Sequence, residues 1–404
     1  MKLLFVLSQS LDSPSGLGRF GPLARELARL GHDVELLALH YAWAGLAAKS
    51  FVEEGVHVRY VGQMHVMKEG PRKRYFGPGR LLAVSLSSAV RLARAVSRST
   101  ADVIQLCKPQ PINALAVRLG RRGRPVFCDC DDYEAQTNVF GGEWQRLVVR
   151  HFEDGVVGYA RGLTTNTKFT FNRYRQLGFP SERIVYVPNG VERARFRIRQ
   201  DGGELRRKLG LPQSAPVVVY VGTLSARSHA VDLLLAAFAR VASQVPEARL
   251  LLVGGGEDYD GLRAQAERLG IGDRTLFAGR VSPAEAPQYT ALGTVSVDPV
   301  RDDLVAKTRS PLKIVESLAV GVPVVTGDVG DRREMLADGR LGILVQCGDA
   351  EALADGLLAL LQSSDLRARM SAAALQSREE WYWDRLVGRF AQVYSLGGIE
   401  VAAP

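Results

Sequence analysis

The chain has 404 residues, which is more than one hydrophobic core usually serves, so its length predicts two domains. Hydrophobic residues make up 46% of the sequence and charged residues 24%, as is ordinary for a soluble globular protein. The formal net charge of +9 indicates anionic partners, but the sequence has no nucleic-acid-binding motif and no basic patch interleaved with aromatic residues. We therefore expect no nucleic-acid partner.

The chain opens with an apolar run at residues 2–7 that predicts a buried strand. This run is too short, and too quickly followed by polar residues, to be a signal peptide. No stretch approaches the roughly 18 consecutive apolar residues of a membrane-spanning helix. We therefore expect a cytoplasmic protein.

A long loop follows, and then an amphipathic helix at residues 22–30 and a strand at residues 34–39. The loop contains the literal pattern GxGxxG at Gly16, Gly18 and Gly21. In a dinucleotide-binding fingerprint the glycines follow the first strand directly and an acidic residue ends the second strand, whereas His40 stands at that end here. The pattern therefore favours a flexible glycine loop at the carboxyl edge of the sheet. A plain strand-to-helix turn is the alternative.

Residues 68–98 are strongly basic. Besides the acid Glu69 they include Lys68, Arg72, Lys73, Arg74, Arg80, Arg91, Arg94 and Arg98. Helical spacing puts the last four of these on one face, and apolar residues cover much of the remainder. Such a helix would lie against anionic phospholipid or bind a lipid diphosphate. The alternative is a core-packed helix whose basic residues are only solvated.

Strands are predicted next at residues 103–107 and 126–129, and the second leads into Asp131, Asp132 and Glu134. Carboxylates at the carboxyl end of a strand lie where open α/β sheets bind ligands. Asp131 is therefore a candidate site residue. The alternative is that it only caps the next segment.

Four cysteines do not make a disulfide framework in a chain of this length. Cys128 and Cys130 point the same way from an apolar strand, but no histidine or second cysteine pair stands at metal-ligand spacing. The sequence therefore predicts buried thiols rather than a metal site.

The segment 187–191 reads Val-Pro-Asn-Gly-Val, which predicts a broken strand and a turn near the end of the first domain. A second β run ends at Gly222, and a loop containing Arg227 follows it. Three further units of strand, loop and helix are predicted, with strands at 248–256, 275–279 and 294–299.

Residues 309–326 predict a loop, a helix and a buried strand in quick succession. Ser310 is a good N-cap and Pro311 suits the first helical position. Gly321 ends the helix, and the β-branched run at 322–325 is expected to enter a parallel sheet.

The start of this helix is a candidate anion site, because its free N–H groups carry partial positive charge and Lys313 adds a full one. A diphosphate would fit there. The carboxylate of Glu316, less than two turns away, could accept hydrogen bonds from vicinal hydroxyls of a ribose. One helix would then hold both ends of a nucleoside diphosphate.

This stretch resembles the signature of family 4 glycosyltransferases, which show a Glu-x7-Glu pattern with the second Glu on this helix. Glu316 matches the second position, but Thr308 stands at the first. The chain is instead similar to a Ser-Pro-x-Lys variant, carried by Ser310, Pro311 and Lys313. The segment 187–191 also resembles the family, and the likeness spans nearly the whole chain.

The resemblance implies the GT-B fold, an α/β architecture in which two Rossmann-like parallel-sheet domains face each other across a cleft. We expect an acceptor-side domain at residues 1–195 and a nucleotide-sugar-binding domain at residues 196–380. A C-terminal helix within residues 381–404 is expected to pack back on the first domain.

The resemblance also implies site residues. Binding of the donor would fall to Ser310, Pro311, Leu312, Glu316, Thr308, Gly222, Thr223, Arg280 and Val281. Gly16 and Gly18 would approach the donor phosphates or the acceptor. The catalytic set would be Lys313, Arg227 and Asp131. Three of these positions depart from the family, which usually has a glutamate where Thr308 stands, an arginine where Thr223 stands and a histidine where Asp131 stands.

The implied function is transfer of a hexose, with retention of configuration, from a UDP- or GDP-sugar to a hydroxyl group of a glycan or lipid-linked acceptor. Neither a metal nor another cofactor is expected. Residues 68–98 could hold the enzyme at the inner face of a membrane. Two alternatives are a nucleotide-sugar 2-epimerase and a non-catalytic binding subunit, the latter because of Thr308, Thr223 and the missing histidine.

Overall fold

The structure, a computed structural model, describes residues 1–69, 72–138, 140–196 and 202–399. The chain divides into two compact units. The first comprises Met1–Gly190, Thr308–Ser310 and the C-terminal helix that begins at Trp383, and the second comprises Val191–Lys307 and Pro311–Tyr382. The boundaries predicted from the sequence are at residues 195 and 380.

The strands and helices of the first unit, up to the crossover into the second, are β1 (Lys2–Leu7), α1 (Gly21–Arg29), β2 (Asp33–His40), β3 (Ser50–Glu53), β4 (Val56–Gln63), β5 (Val66–Glu69), β6 (Arg72–Tyr75), α2 (Pro78–Arg98), β7 (Val103–Cys107), α3 (Pro111–Gly120), β8 (Val126–Cys130), α4 (Glu134–Thr137), α5 (Glu143–Gly155), β9 (Gly162–Thr165), α6 (Lys168–Gln176) and β10 (Ile184–Tyr186).

The second unit continues with α7 (Gly203–Lys208), β11 (Val217–Val221), α8 (Ala226–His229), α9 (Val231–Gln244), β12 (Arg249–Val253), α10 (Tyr259–Arg268), β13 (Thr275–Gly279), α11 (Ala286–Thr290), β14 (Val295–Asp298), α12 (Leu304–Lys307), α13 (Leu312–Ala319), β15 (Val324–Gly327), α14 (Arg332–Met335), β16 (Gly342–Val345), α15 (Ala350–Gln362) and α16 (Ser364–Ser377). The chain then returns to the first unit as α17 (Trp383–Leu396).

Among the described residues, the first unit holds an eight-stranded sheet in the order β10-β9-β8-β7-β1-β2-β4-β3. All neighbours are parallel except the edge strand β3, which pairs antiparallel with β4. The central strands are buried along nearly their whole length because helices cover both faces of the sheet. Strands β5 and β6 form a separate antiparallel hairpin.

Two apolar layers cover this sheet. The first contains residues of α1 and α17, and Phe127 of β8 meets Tyr394 of α17 edge to face at 5.0 Å. The second contains residues of α2, α3 and α6. The C-terminal helix therefore packs on the first sheet, as the sequence predicts.

In the described part of the second unit, six parallel strands form a sheet in the order β13-β12-β11-β14-β15-β16. Helices α9 and α15 bury their apolar sides against one face. Helix α13 packs with Val324 of β15 and Leu336 in a second apolar cluster. Both sheets are thus the parallel α/β layers that the sequence predicts.

The signature stretch differs in detail from its prediction. Helix α13 begins at Leu312, with Pro311 in the N-cap position, so the prediction that Ser310 caps the helix is wrong. The hydroxyl of Ser310 instead accepts a hydrogen bond from the backbone N–H of Asn189 at 3.3 Å. Gly321 ends the helix with φ 77°, as expected.

The strand predicted at 322–325 begins two residues later, at Val324. The N–H of Val322 donates to Ser317 O, which closes the end of α13, and Pro323 has no N–H to offer a ladder. Both residues therefore belong to the turn rather than to the strand.

The basic segment forms the hairpin β5–β6 and the long helix α2. Residues 70 and 71, and the side chains of 68, 69 and 72–75, lie outside what the structure describes, and the predicted roles of Lys68, Arg72, Lys73 and Arg74 stay predictions. None of the helices in the described ranges is long and apolar enough to span a membrane.

Candidate active site

At the carboxyl ends of β11 and β12 in the second unit, the backbone of Gly222, Gly254 and Gly255 forms a surface, which we call the glycine floor; Arg280, just after β13, borders it. A Cβ on Gly254, which follows β12, would lie 1.8 Å from the carbonyl oxygen of Gly222, which follows β11. Gly254 also has φ 142°, a conformation that L residues seldom adopt. A Cβ on the adjacent Gly255 would lie 2.9 Å from Nε of Arg280. The structure thus brings the predicted donor residues Gly222 and Arg280 to one place.

Lys313, in the first turn of α13, reaches the same floor. A Cβ on Gly222 would lie 3.4 Å from Cε of Lys313, and the ammonium lies 5.5 Å from the ring centre of Tyr220. The Tyr220 hydroxyl donates to the carbonyl oxygen of Thr223 at 2.7 Å. Lys313 therefore lines one surface with Gly222 and Thr223, from which it is distant in sequence.

A buried carboxylate fixes this lysine. Oδ1 of Asp298, the last residue of β14, lies 3.0 Å from Nζ of Lys313, and Oδ2 accepts from Nε of Arg332 at 2.8 Å. Oδ2 also accepts from the hydroxyl of Thr326 at 3.1 Å. Although burial alone would raise the pKa of Asp298, Lys313 and Arg332 hold it well below its usual range. Two cations against one carboxylate leave a net positive charge at the edge of the sheet.

Glu316 lies one turn further along α13 and is half-buried. Burial raises the pKa of its carboxyl group to about 7, against the opposing charges of Arg195 and Lys313. The carboxyl group therefore titrates near neutral pH, which is unusual for a glutamate on a solvated helix face.

Other predicted donor residues have more varied positions. Arg227 is exposed on the single-turn helix α8, and Val281 is half-buried just after Arg280. Thr308 is fully buried and belongs to the first unit, together with Ser310. Leu312 is half-buried as the first residue of α13. Their contributions to donor binding, and the catalytic role of Arg227, stay predictions.

The glycine loop of the first unit is more regular than predicted. Residues Gly16–Phe20 form a π-helical turn, and a Cβ on Gly16 would lie 2.5 Å from the carbonyl oxygen of Ser10, so packing alone requires a glycine there. Gly18, in the same turn, is half-buried. A cavity of about 420 Å³ opens beside this turn, and its lining includes Asp12, Gly16, Leu17, Arg25 and Tyr60.

Arg19 anchors the glycine loop to the sheet. Its guanidinium group is buried against Asp129 of β8, with Nη2 and Oδ2 2.9 Å apart. Nη1 donates to Val187 O at 3.0 Å and to Oδ1 of Asn189 at 3.1 Å. The amide of Asn189 in turn donates to Ser310 O at 2.9 Å. One buried arginine therefore joins the glycine loop, a central strand and the 187–191 turn.

Asp131 lies in a second buried cluster of charges, just beyond the carboxyl end of β8. Nζ of Lys108 is 3.1 Å from Asp131, 3.3 Å from Asp132 and 2.6 Å from Glu134. The three carboxylates are close enough together to ligate a metal ion, but the ammonium group already contacts all three. Asp131 does not cap the next helix, because the carboxylate that accepts from the N–H groups of Glu134 and Ala135 is that of Glu153.

The thiols of Cys128 and Cys130 are both buried, as expected, with their sulfur atoms 3.6 Å apart. Burial raises the pKa of the Cys128 thiol well above its ordinary value. Both thiols are therefore buried core groups.

Two protein families match the chain, one in its first part and one in its second. Residues 17–190 match the family described as glycosyl transferase 4-like domain, and residues 201–377 match glycosyl transferases group 1. A curated relative from Mycolicibacterium smegmatis, a GDP-mannose-dependent alpha-(1-6)-phosphatidylinositol monomannoside mannosyltransferase, is 30% identical over 324 residues, covering 79% of this chain and 82% of the relative. The chain belongs to the family 4 glycosyltransferases.

Solved structures show the same fold. Sucrose-phosphate synthase from Thermosynechococcus elongatus aligns with a TM-score of 0.76 at 18% identity and covers 98% of both chains. HepE from Anabaena in complex with UDP aligns with a TM-score of 0.70 at 20% identity and covers 98% of this chain and all of that one. The fold is GT-B.

This family 4 glycosyltransferase is therefore a hexosyltransferase-type enzyme that transfers a sugar from a nucleotide sugar. The epimerase and the non-catalytic subunit are not favoured by these relatives, whose names are those of glycosyltransferases.

Sequence reasoning missed several charged residues of this glycosyltransferase. Asp298 lies one residue before the end of the predicted strand 294–299, so the rule that singled out Asp131 would also have found it. Lys108 directly follows β7, and the same rule extended to basic residues would have found it. Arg19 and Arg332 gave no such signal, because only the tertiary structure shows that each one is buried against a carboxylate.

We expect Asp298→Ala to lower the free energy of unfolding by about 3–5 kcal/mol at pH 7, because it leaves two cations without their buried partner. Urea unfolding measures this difference. The control is Asp302→Ala, which breaks an exposed ion pair with Lys307 and should leave the free energy of unfolding within about 0.5 kcal/mol of wild type. Because the folded-state pKa of Asp298 is lowered, its stabilisation is present above about pH 4 and is lost as the pH falls through the folded-state pKa. An equal difference between wild type and variant at pH 7 and pH 2 would contradict this account.

Proposed function

We propose that this glycosyltransferase moves a hexose from a GDP- or UDP-sugar to a hydroxyl group of a lipid-linked or glycan acceptor, with retention of configuration and without a metal. The observation that carries the proposal is the net positive edge of the second sheet, where Lys313 and Arg332 share Asp298 beside a floor of glycine backbone. A diphosphate is the part of the donor that matches this charge.

Helix α13 supports the same assignment. Its first turn offers backbone N–H groups, and Pro311 at the N-cap position makes no side-chain hydrogen bond to them. A helix N-terminus with a lysine in its first turn is a favourable site for phosphate oxygens. Lys313 would therefore stabilise the departing diphosphate, with Arg227 as the predicted second cation. This charge, placed before the reaction begins, can replace a metal ion.

Glu316 is proposed to bind the ribose. It follows Lys313 by three residues, or about 4.5 Å along the helix axis, so its carboxylate is close enough to the phosphate site for one ribose to reach both. Two vicinal hydroxyl groups would donate to it. Gly222, Thr223, Arg280 and Val281 would border the rest of the nucleotide.

Retention is proposed from the family resemblance. The acceptor hydroxyl would attack from the face that the diphosphate leaves, and a phosphate oxygen would take its proton. Asp131 would orient that hydroxyl. This route requires no protein nucleophile.

The choice of donor is supported by the relatives. The Mycolicibacterium smegmatis relative is named for its dependence on GDP-mannose and acts on a phosphatidylinositol mannoside, whereas HepE was solved with UDP. We propose a GDP-hexose as the first donor to test and a UDP-hexose as the second.

A direct test incubates the protein with GDP-mannose or UDP-glucose, with and without EDTA, and measures release of the nucleoside diphosphate. We expect release with one donor, unchanged by EDTA, and about a 100-fold lower rate in Lys313→Ala, because one donor to the developing charge is typically worth that much. Arg263→Ala, an exposed position on α10, is the control. No release from either donor, or full activity in Lys313→Ala, would contradict the proposal.

The role of Glu316 predicts a pH dependence. Because the carboxyl pKa is about 7 and the ribose would bind the ionised form, the Kd for GDP should fall about tenfold between pH 6 and pH 8. Glu316→Gln should bind more weakly at pH 8 and lose this part of the dependence. The phosphate titrates as well, so the difference between the two proteins, measured by calorimetry, is the quantity to compare. Parallel pH curves would argue against a ribose contact.

Membrane binding through α2 is the remaining part of the proposal. The helix has an exposed apolar stripe of Leu82, Leu86 and Val90, with Leu82 61% exposed. Arg80, Arg94 and Arg98 are exposed beside the stripe. An apolar stripe next to a basic one is typical of helices that lie in the surface of an anionic membrane.

Helix α5 adds a second apolar face on the same side of the sheet. Trp144 is 67% exposed, and Leu147 and Val148 are exposed beside it. Helices that follow parallel strands run back along them, so the first halves of α2 and α5 both lie toward the carboxyl edge. Tryptophan favours the interface between lipid and water. A lipid-linked acceptor would approach Asp131 from this edge.

We expect the protein to cosediment with vesicles containing phosphatidylglycerol at 50 mM salt and to bind less at 500 mM, because salt screens the arginines. Replacing Leu82, Leu86 and Val90 together by serine should weaken binding about tenfold or more. Leu269→Ser, an exposed leucine of the second unit, should not. Failure to bind anionic vesicles at low salt would remove the membrane from the proposal but leave the transferase reaction unaffected.

A further inference from the structure

Lys108 has an unusual backbone at a position where ligands bind in open α/β sheets. It directly follows β7 and has φ 56°, in the left-handed region that side chains disfavour. Its N–H donates to Asp129 O at 2.9 Å, and its carbonyl oxygen accepts from Nδ2 of Asn113 at 2.8 Å. These bonds hold the backbone in place, and the side chain projects into the cluster at the end of β8.

The ammonium group of Lys108 is the cation on which Asp131 depends. Glu134 has neutral donors besides Lys108, since Nε2 of Gln110 and Nδ2 of Asn138 both donate to it. Asp132 is partly exposed and so is partly solvated. Asp131 is buried, and its Oδ1 receives both the ammonium group and the N–H of Asp132. Loss of Lys108 would therefore affect Asp131 most.

Other charges near Asp131 are already paired. Asp129 is neutralised by Arg19, and Glu153 accepts from the backbone at the start of α4. Burial raises the pKa of Asp131 to about 7; Lys108 opposes this rise, and Asp132, Glu134 and Asp129 add to it. The charge of Asp131 near neutral pH is thus set by a balance in which Lys108 is the main favourable partner.

We propose that Lys108 is a positioning residue of this enzyme, which fixes the Asp131 carboxylate at the carboxyl edge of the first sheet as the hydrogen-bond acceptor for the attacking hydroxyl group of the acceptor substrate. The inference rests on the proposed function, in which Asp131 contacts the acceptor. Lys108 itself acts only through Asp131.

This role has a consequence that a purely structural lysine would not have. Transfer requires Asp131 ionised, so kcat/KM for the acceptor falls on the acid side with the pKa of Asp131 in the free enzyme. Removing the positive charge of Lys108 raises that pKa, and removing the negative charge of Asp132 lowers it. The two substitutions therefore move the acid limb in opposite directions.

The experiment measures kcat/KM for the acceptor from pH 5.5 to pH 9 in wild type, Lys108→Met, Lys108→Arg and Asp132→Asn. We expect an acid limb near pH 7 in wild type, a limb about 1–3 pH units higher in Lys108→Met and a lower one in Asp132→Asn. Lys108→Arg keeps the charge and should restore most of the wild-type profile. Lys2→Met, at the amino edge of the same sheet, is the matched control.

Acid limbs that coincide in all variants would overturn the inference, even if Lys108→Met lowers the rate at every pH, because that result describes a structural role. If Lys108→Met does not fold, the acid limb of Asp132→Asn still tests the inference: a limb at lower pH than in wild type supports it, and an unchanged or higher limb overturns it. Wild-type protein that releases no nucleoside diphosphate from any donor would instead count against the proposed function. A transferase that is active but insensitive to Lys108 would reject the inference alone.

Discussion

The carboxyl edge of the second sheet, where we propose that the donor binds, depends on one buried ion cluster, in which Asp298 holds both Lys313 and Arg332. A lysine at the start of a helix would otherwise turn toward water, since its side chain is long and its charge strongly hydrated. Asp298 keeps the ammonium group over the glycine floor, where a solvated lysine would not stay. The cluster remains positive overall, so the cost of burying its charges falls when an anion arrives.

The two units carry charge clusters of opposite sign at equivalent positions of their sheets. In the second, one carboxylate holds two cations, and in the first one ammonium group holds three carboxylates. Both clusters lie at the carboxyl ends of parallel strands, because a parallel sheet brings the ends of all its strands to one edge. A positive edge suits a diphosphate, and a negative edge suits hydroxyl groups that donate hydrogen bonds. These opposite charges are the electrostatic basis of the proposed assignment of the donor to the second unit and the acceptor to the first.

The surroundings of Thr308 and Ser310 in the fold explain why the chain departs from the family signature at these positions. Thr308 is fully buried, at a position where a glutamate would need a partner for its charge. Ser310 accepts from the backbone N–H of Asn189, and Asn189 also contacts Arg19 of the glycine loop. Asn189 therefore contacts the serine that precedes Pro311 in the signature, and Lys313, two residues after Pro311, is the residue to which we assign the charged role.

The sequence by itself determined the parallel α/β layers, most strand positions, the signature helix and the family, because apolar periodicity and short motifs are local properties of the chain. Lys313 and Glu316 could be proposed as donor-binding residues for the same reason, since they lie on one helix. Only the tertiary structure decided which charges meet. Lys108 and Asp131 follow two different strands, and Asp298 and Arg332 belong to a strand and a helix, so each contact arises only when the sheet is assembled. Ser310 shows the same limit on a small scale: its local pattern predicts a helix cap, but a turn more than a hundred residues earlier supplies a donor that its hydroxyl binds instead.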